Sequence, residues 1–341
     1  MRRKALLWSE RGAWLSVQNA IDSPWGKRSR VLSAGLVLVF MTALLSGVSN
    51  LVNFFAVQGT NSDAFIVARN ALVAVILVPL AFFAADGAVP RLPRRDVGRL
   101  ALIGLVGGAV PFLLFFRGLQ EAAASGGAAT ATFGYRALFI FAAIFAVVAL
   151  KERVQLRWVA GAALLLAGNF ALLSLTAPVW SDGSLLVLAA TVLWAGEYTL
   201  SKRALKDIAP TTVALGRMGF GALFLVGYLA LTSGFGPVAA LSQAQWTWVL
   251  VSALLLVAFV TTWYAGLARV DLSVAASVLV LAFPVTWALG TLAGRVPLAL
   301  PQALGAAAIV FGVVLVVGVA RLRDLWRELF IAARAKSSSG A

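Results

Sequence analysis

The sequence has no cysteine and no histidine among its 341 residues, and only 13 residues are acidic. Without cysteine there are no disulfides and no thiol nucleophiles. Without histidine there is no ordinary zinc site and no histidine-based acid–base or triad chemistry. No G-x-x-x-x-G-K-[ST] segment occurs, which excludes phosphate cradling by a P-loop. No adjacent carboxylates or metal-ligand clusters occur either, so glycosidase, aspartyl and metal chemistry have no residues to work with. Charge is scarce altogether: 12% of the residues, against about a quarter in soluble domains.

What fills the chain instead is apolar. Hydrophobic residues make up 61% of it, and the mean hydropathy is +0.94. Many runs exceed the roughly 20 residues needed to cross a bilayer, without the alternation of barrel strands. The expectation is an all-α integral membrane protein. Ten spans are read at 31–57, 63–85, 98–119, 126–149, 156–175, 184–201, 210–232, 246–268, 273–293 and 301–320. A basic tail (1–30) precedes them, with Trp8, Trp14 and Trp25 and no signal-peptide pattern. After them Leu322, Leu325, Trp326, Leu329, Phe330 and Ala333 recur at helical spacing among arginines, as in an amphipathic interfacial helix, and a polar tail ends the sequence at residue 341.

The net charge of +15 is read as topology and anionic-lipid contact, not as nucleic-acid binding. The N-terminal tail, the loops after spans 2, 4, 6 and 8, and the C-terminal tail together hold 23 Lys and Arg, whereas the other loops hold Arg295 alone. Both termini are therefore expected on the cytoplasmic side. The remaining four arginines, Arg69, Arg117, Arg136 and Arg217, fall inside spans.

The chain also repeats. RNALVAV at Arg69 pairs with RMGFGAL at Arg217, an offset of 217 − 69 = 148, and Gly118–Leu119 pairs with Gly266–Leu267 at the same offset. Gly161 and Gly168 match Gly305 and Gly312 at an offset of 144. Five spans per unit is odd, so the two units lie inverted in the membrane. The loop charges agree: Lys151–Arg157 faces a counterpart, GRVPLALP, nearly stripped of charge. Inverted repeats are typical of alternating-access transporters, with the substrate site near the midplane between them. The units are placed at 31–175 and 176–320.

This layout, with AVVALKERVQLRWVAGAALLLAG (146–168) and LLVLAATVLWAGEYTLSKRAL (185–205), resembles the drug/metabolite transporter superfamily, in particular the EamA-type ten-span permeases. The resemblance implies transport of small solutes without ATP, with export as the family default, and needs neither a cofactor nor enzymatic chemistry. Two positions depart from the pattern. The first span carries Ser46–Gly47 where Trp-Gly is usual, and Arg136 stands where span 4 often has a proline that the second repeat keeps as Pro284.

Candidate site residues follow. Arg136 beside Tyr135, in a span that the resemblance places on the cavity, offers a bidentate cation for a carboxylate or phosphate, and the bland alternative is an internal ion pair or carbonyl clamp. Glu197 is the one acid within a span. It is a proton carrier, a partner for a substrate amine, or simply the partner of Arg217. Asn50, Tyr198 and Trp287 complete the expected substrate-binding set, with Asn53 and Trp194 as further wall residues. Arg69 and Arg217 are read as gating or helix-pairing residues, Arg117 as an edge residue near Glu121, and Trp263–Tyr264 as interface-belt aromatics. The expected function is secondary transport of a carboxylate-bearing metabolite such as an amino acid. The alternative is proton-coupled efflux of cationic compounds through Glu197. Expected partners are the solute, membrane lipids, protons as a coupling ion and a second copy of the chain.

Overall fold

The computed structural model describes residues 24–56, 59–85, 92–174, 178–296 and 298–326, with side chains from residue 31 onward except Phe54. The expected surface-lying N-terminal tail and most of the C-terminal amphipathic helix lie outside the described residues, although residues 319–326 are helical. All regular structure among the described residues is helical.

Ten main helices run in order: α1 (Pro24–Ala56), α2 (Ser62–Ala84), α3 (Arg94–Ala124), α4 (Ala128–Leu150), α5 (Leu156–Leu172), α6 (Asp182–Ala204), α7 (Pro210–Leu231), α8 (Gln243–Leu267), α9 (Leu272–Leu292) and α10 (Leu300–Val317). Nine are long and apolar enough to cross a membrane, and α5, with 17 residues, falls just short of that length. Local signals set their ends. Asn61 caps α2 by accepting from the Ala64 N–H, and capping boxes open α6 (Ser181–Ser184) and α8 (Ser242–Gln245). Lys151, at φ +61°, turns the chain out of α4.

Three helices are not continuous, which the ten-span reading had not resolved. α3 contains a π-helical stretch, Gly104–Ala109. α9 breaks between Leu279 and Ala282, just ahead of Pro284. α4 breaks after Arg136 although no proline stands there: the Ala137 N–H bonds to both Phe133 O (3.0 Å) and Gly134 O (3.2 Å).

The packing obeys a pseudo-twofold that exchanges helices 1–5 with 6–10. α1 packs on α8 as α6 packs on α3, α9 packs on α1 as α4 packs on α6, and α2–α7 and α5–α10 are self-related pairs. The glycine seam shows the direction of the last pair. A Cβ on Gly161 would lie 2.8 Å from Gly312 O, and one on Gly168 would lie 2.7 Å from Gly305 O, so α5 and α10 run antiparallel at backbone contact. Two inverted five-helix repeats result, and these glycines serve the internal seam, not a surface between two copies of the chain.

Polar groups fasten the bundle at both ends. At one end Glu152, from the Lys151–Glu152–Arg153 knot, accepts from Leu272 N (2.7 Å), Ser273 N (3.1 Å) and Ser273 Oγ (2.7 Å) at the start of α9. There too Lys202 Nζ donates to Leu267 O (2.6 Å), at the end of α8, and to Val270 O (2.8 Å) in the turn that follows. At the other end Arg117 bridges to Asp63 (3.2 Å) and to the Tyr228 hydroxyl. The partner of Arg117 is thus on α2, not Glu121 one turn away, because Asp63 sits at the capped start of a helix at the same depth.

Candidate functional site

The site begins with a proline. Pro111 lacks an N–H, so the Gly107 carbonyl four residues earlier has no intrahelical donor. The chain relaxes into the π-helical stretch there, and the freed carbonyl accepts from Trp194 Nε1 (3.1 Å) and Arg217 Nη2 (3.1 Å). Gly107 has no side chain because the Glu197 side chain occupies that space, and a Cβ on Gly108 would strike the Arg217 carbonyl. Asn70 donates to Gly108 O (3.3 Å). One backbone irregularity in α3 therefore ties together α2, α6 and α7 at the bundle centre.

Against this centre lie two connected compartments. The larger, about 270 Å³, is lined by Asn50, Phe115, Tyr135, Arg136, Phe283 and Thr286 among others. The deeper, about 120 Å³, includes Ser46, Asn50, Arg69, Trp194, Tyr198 and Arg217. Asn50, Asn53, Phe115, Phe116 and Tyr135 line both. No acidic side chain lines either compartment among the described residues. Aromatic rings pack against one another in the walls: Tyr135 meets Phe115 (5.0 Å between centroids), Trp194 (5.7 Å) and Phe283 (6.0 Å). Tyr135 and Phe283 are repeat mates at the offset of 148, so the pseudo-twofold passes between them.

Arg136 sits over Phe283, 4.5 Å from guanidinium carbon to ring centroid. Its Nε and Nη1 are buried and have no hydrogen-bond partner among the described residues, and no acid stands within ion-pair distance of it. Among the described residues, neither an internal ion pair nor a carbonyl clamp is therefore formed by Nε or Nη1. Arg69 is also buried, with its Nε on Asn70 Oδ1 (3.2 Å), its plane near the Phe65 and Phe112 rings and its Nη2 unpartnered among the described residues.

Arg217 is neutralised instead. Glu197, fully buried, faces its Nε at 3.5 Å and accepts from Tyr264 OH (2.7 Å) and Ser201 Oγ (2.5 Å). The repeat explains why only one of two mated arginines is paired. At the offset of 148, Glu197 corresponds to Ser49, Tyr264 to Phe116 and Ser201 to Asn53, so the first repeat gives Arg69 no carboxylate.

The expected site residues sort accordingly. Arg136, Tyr135, Asn50 and Tyr198 are on the cavity wall, as are Asn53 and Trp194. Glu197 is absent from that wall and is held behind Arg217 and Tyr198. Trp287 is absent from it too: α9 presents Phe283 and Thr286 to the cavity, while Trp287 packs at the margin of the apolar core. Arg69 and Arg217, read from the sequence as gating or helix-pairing residues, line the same compartment. Trp263 and Tyr264 are wholly buried, with Trp263 against Tyr198 (4.6 Å) and Tyr264 on Glu197, because a buried carboxylate needs donors more than the interface needs a tyrosine. Residues not foreseen are Pro111 with Gly107, the wall of Phe112, Phe115 and Phe116, and Phe283. A proline closing Gly-Gly-Ala-Val-Pro (107–111) in mid-span was the available signal for the first.

Ser46 is the repeat mate of Trp194 and lines the cavity where a tryptophan would fill it. Beside it, Gly47 admits Val285 of α9, and Thr286 donates to the Gly47 carbonyl (2.9 Å).

Comparison with known proteins agrees with this architecture. No curated protein matches the chain in sequence. A solved structure, titled only as the crystal structure of a protein, superposes with a TM-score of 0.68 at 21% identity, covering 83% of this chain and 96% of that one, which shows the shared fold. The model of the EamA-like transporter family matches twice, over residues 33–174 and 181–318. Two copies of the same five-helix unit, each recognised by the family's model, make the chain a member of the EamA-like transporter family.

Proposed function

We propose that the protein is a secondary transporter that moves a small, carboxylate-bearing organic solute by alternating access between its two repeats. One observation carries the reading. Arg136 faces a solute-sized cavity with two buried N–H groups that no acceptor among the described residues meets. An unpaired cation inside a membrane costs roughly 3 kcal/mol or more, and a bidentate carboxylate supplies what is missing. Arg69 adds a second partly free guanidinium in the deeper compartment, and the aromatic walls suit an apolar or planar body. Efflux of a cation through Glu197 draws less support, since that carboxylate is engaged by Arg217, Tyr264 and Ser201.

With both termini cytoplasmic, the larger compartment lies toward the outside. Its walls come from the second halves of α1, α3 and α9 and the first half of α4. Glu152 and Lys202 then tie the inner end and the Arg117–Asp63–Tyr228 bridge ties the outer one, so in this reading each passage of solute requires one of the two ties to open. The test is uptake into proteoliposomes of a panel of labelled organic anions, zwitterions and cations. Flux of at least one carboxylate, abolished in Arg136→Leu, is expected. Flux confined to lipophilic cations contradicts the proposal.

A further inference from the structure

At the end of the bundle fastened by Glu152, a polar hollow lies between the start of α5, the start of α9 and the segment after α10. Arg153, Arg157, Arg321, Asp271 and Trp158 are among the residues lining it. Three guanidinium groups face one carboxylate there, and among the described residues none of the three arginines has an acid within 4.0 Å. Arg157 is let into the hollow by Gly318: that residue has φ +90°, and the Arg157 guanidinium fills the space a Cβ would need.

Val154 and Trp158 also form the upper wall of a second depression, about 290 Å³, whose whole lining is apolar apart from the Trp158 indole nitrogen. Its floor is Ile140, Ala143, Ile144, Val147 and Val148, one stripe of α4 at helical spacing. Ile144 and Val148 are 49% and 63% exposed, so the stripe faces outward from the bundle. From residue 140 to 148 it runs about 12 Å along the helix axis, most of the roughly 15 Å depth of one leaflet's hydrocarbon. Trp158 stands where the two depressions meet. Its ring borders the apolar stripe and its Nε1 points back to Ser273 O (3.4 Å), the posture of an interfacial tryptophan.

An apolar stripe alone would mean no more than contact with bulk lipid. Its junction with a hollow in which three arginines face a single carboxylate, at headgroup level on the end expected to be cytoplasmic, is more specific. We propose that these two depressions form one binding site for an anionic glycerophospholipid, with the phosphodiester held by Arg153, Arg157 and Arg321 and one acyl chain laid along α4. Charge complementarity selects the headgroup, and the stripe selects a lipid over a free anion. Because the hollow touches the first residues of α9 beside the Glu152 cap, a bound lipid also braces the fastened end of the bundle.

The test uses the purified full chain in detergent. Native mass spectrometry is run with dioleoyl phosphatidylglycerol and, at equal concentration, dioleoyl phosphatidylcholine. One phosphatidylglycerol is expected to stay bound at about tenfold lower lipid concentration than phosphatidylcholine, and Arg153→Gln/Arg157→Gln is expected to remove that preference. Arg94→Gln/Arg95→Gln, on another basic turn, should keep it. In parallel, phosphatidylglycerol with brominated chains should quench wild-type tryptophan fluorescence more than it quenches Trp158→Phe. This arm does not depend on the arginine variants folding. Equal binding of the two lipids, a preference indifferent to Arg153 and Arg157, quenching unchanged in Trp158→Phe, or full displacement of the lipid by inorganic phosphate would each overturn the site.

Discussion

Glu197 shows how much one buried carboxylate can hold. It meets Arg217, Tyr264 and Ser201 with no exposed surface of its own. Breaking a buried ion pair from one side typically costs about 3–5 kcal/mol, whereas replacing both partners with apolar groups costs far less. Glu197→Gln is therefore expected to lower the melting temperature sharply, and Glu197→Gln/Arg217→Met to recover part of the loss. Thermal unfolding of these two variants, Arg217→Met and the wild type in detergent closes the cycle. If Glu197→Gln melts like the wild type yet no longer transports, the carboxylate works as a proton carrier and the efflux reading gains. The sequence left three roles open for Glu197, proton carrier, amine partner and partner of Arg217, since depth along a helix can be read from position but the face it presents cannot. The same limit hid the burial of Trp263 and Tyr264 and the turn of Trp287 away from the cavity. Arg136 was legible because an arginine in mid-span has to be explained by something outside its own helix. The missing partner was not legible, for the acids that failed to reach it lie far along the chain.

At the scale of the element, helix interruptions do the positioning. The π-helical stretch of α3 turns a backbone carbonyl into a polar anchor for Trp194 and Arg217. Pro111→Ala would return an N–H to residue 111 and let α3 reclaim the Gly107 carbonyl. Transport is expected to fall severalfold while the melting temperature changes by only a few degrees, measured on the same preparation. Unchanged transport would mean that the freed carbonyl does not shape the cavity. Span existence was readable from apolar length, yet this break was not, since a proline in mid-span signals a kink without saying which groups will use it. The break in α4 was missed for the opposite reason: Arg136 replaces the expected proline, and the backbone turns there all the same.

For the whole molecule, the inverted repeat was the most legible feature. It was written twice, in matched motifs and in loop charges that change sides. The α5–α10 glycine seam and the exchanged helix contacts agree with it. The absence of native cysteine gives a clean background for testing orientation. Single cysteines at Ser125 and Gly234 should react with an impermeant maleimide on intact cells, and those at Lys151 and Lys206 only after the membrane is opened. The reverse pattern would turn the molecule over and put the larger compartment on the cytoplasmic side.

The central claim is that Arg136 awaits an anionic solute. Its most direct test is ligand-induced thermal shift of the purified protein across anionic, zwitterionic and cationic metabolites, repeated on Arg136→Leu. A ligand at 100 times its Kd stabilises the folded state by about 2.7 kcal/mol, a shift of a few degrees. The account predicts that carboxylates raise the melting temperature of the wild type and leave the folded variant unmoved. Stabilisation by lipophilic cations alone, equal in both proteins, would contradict it.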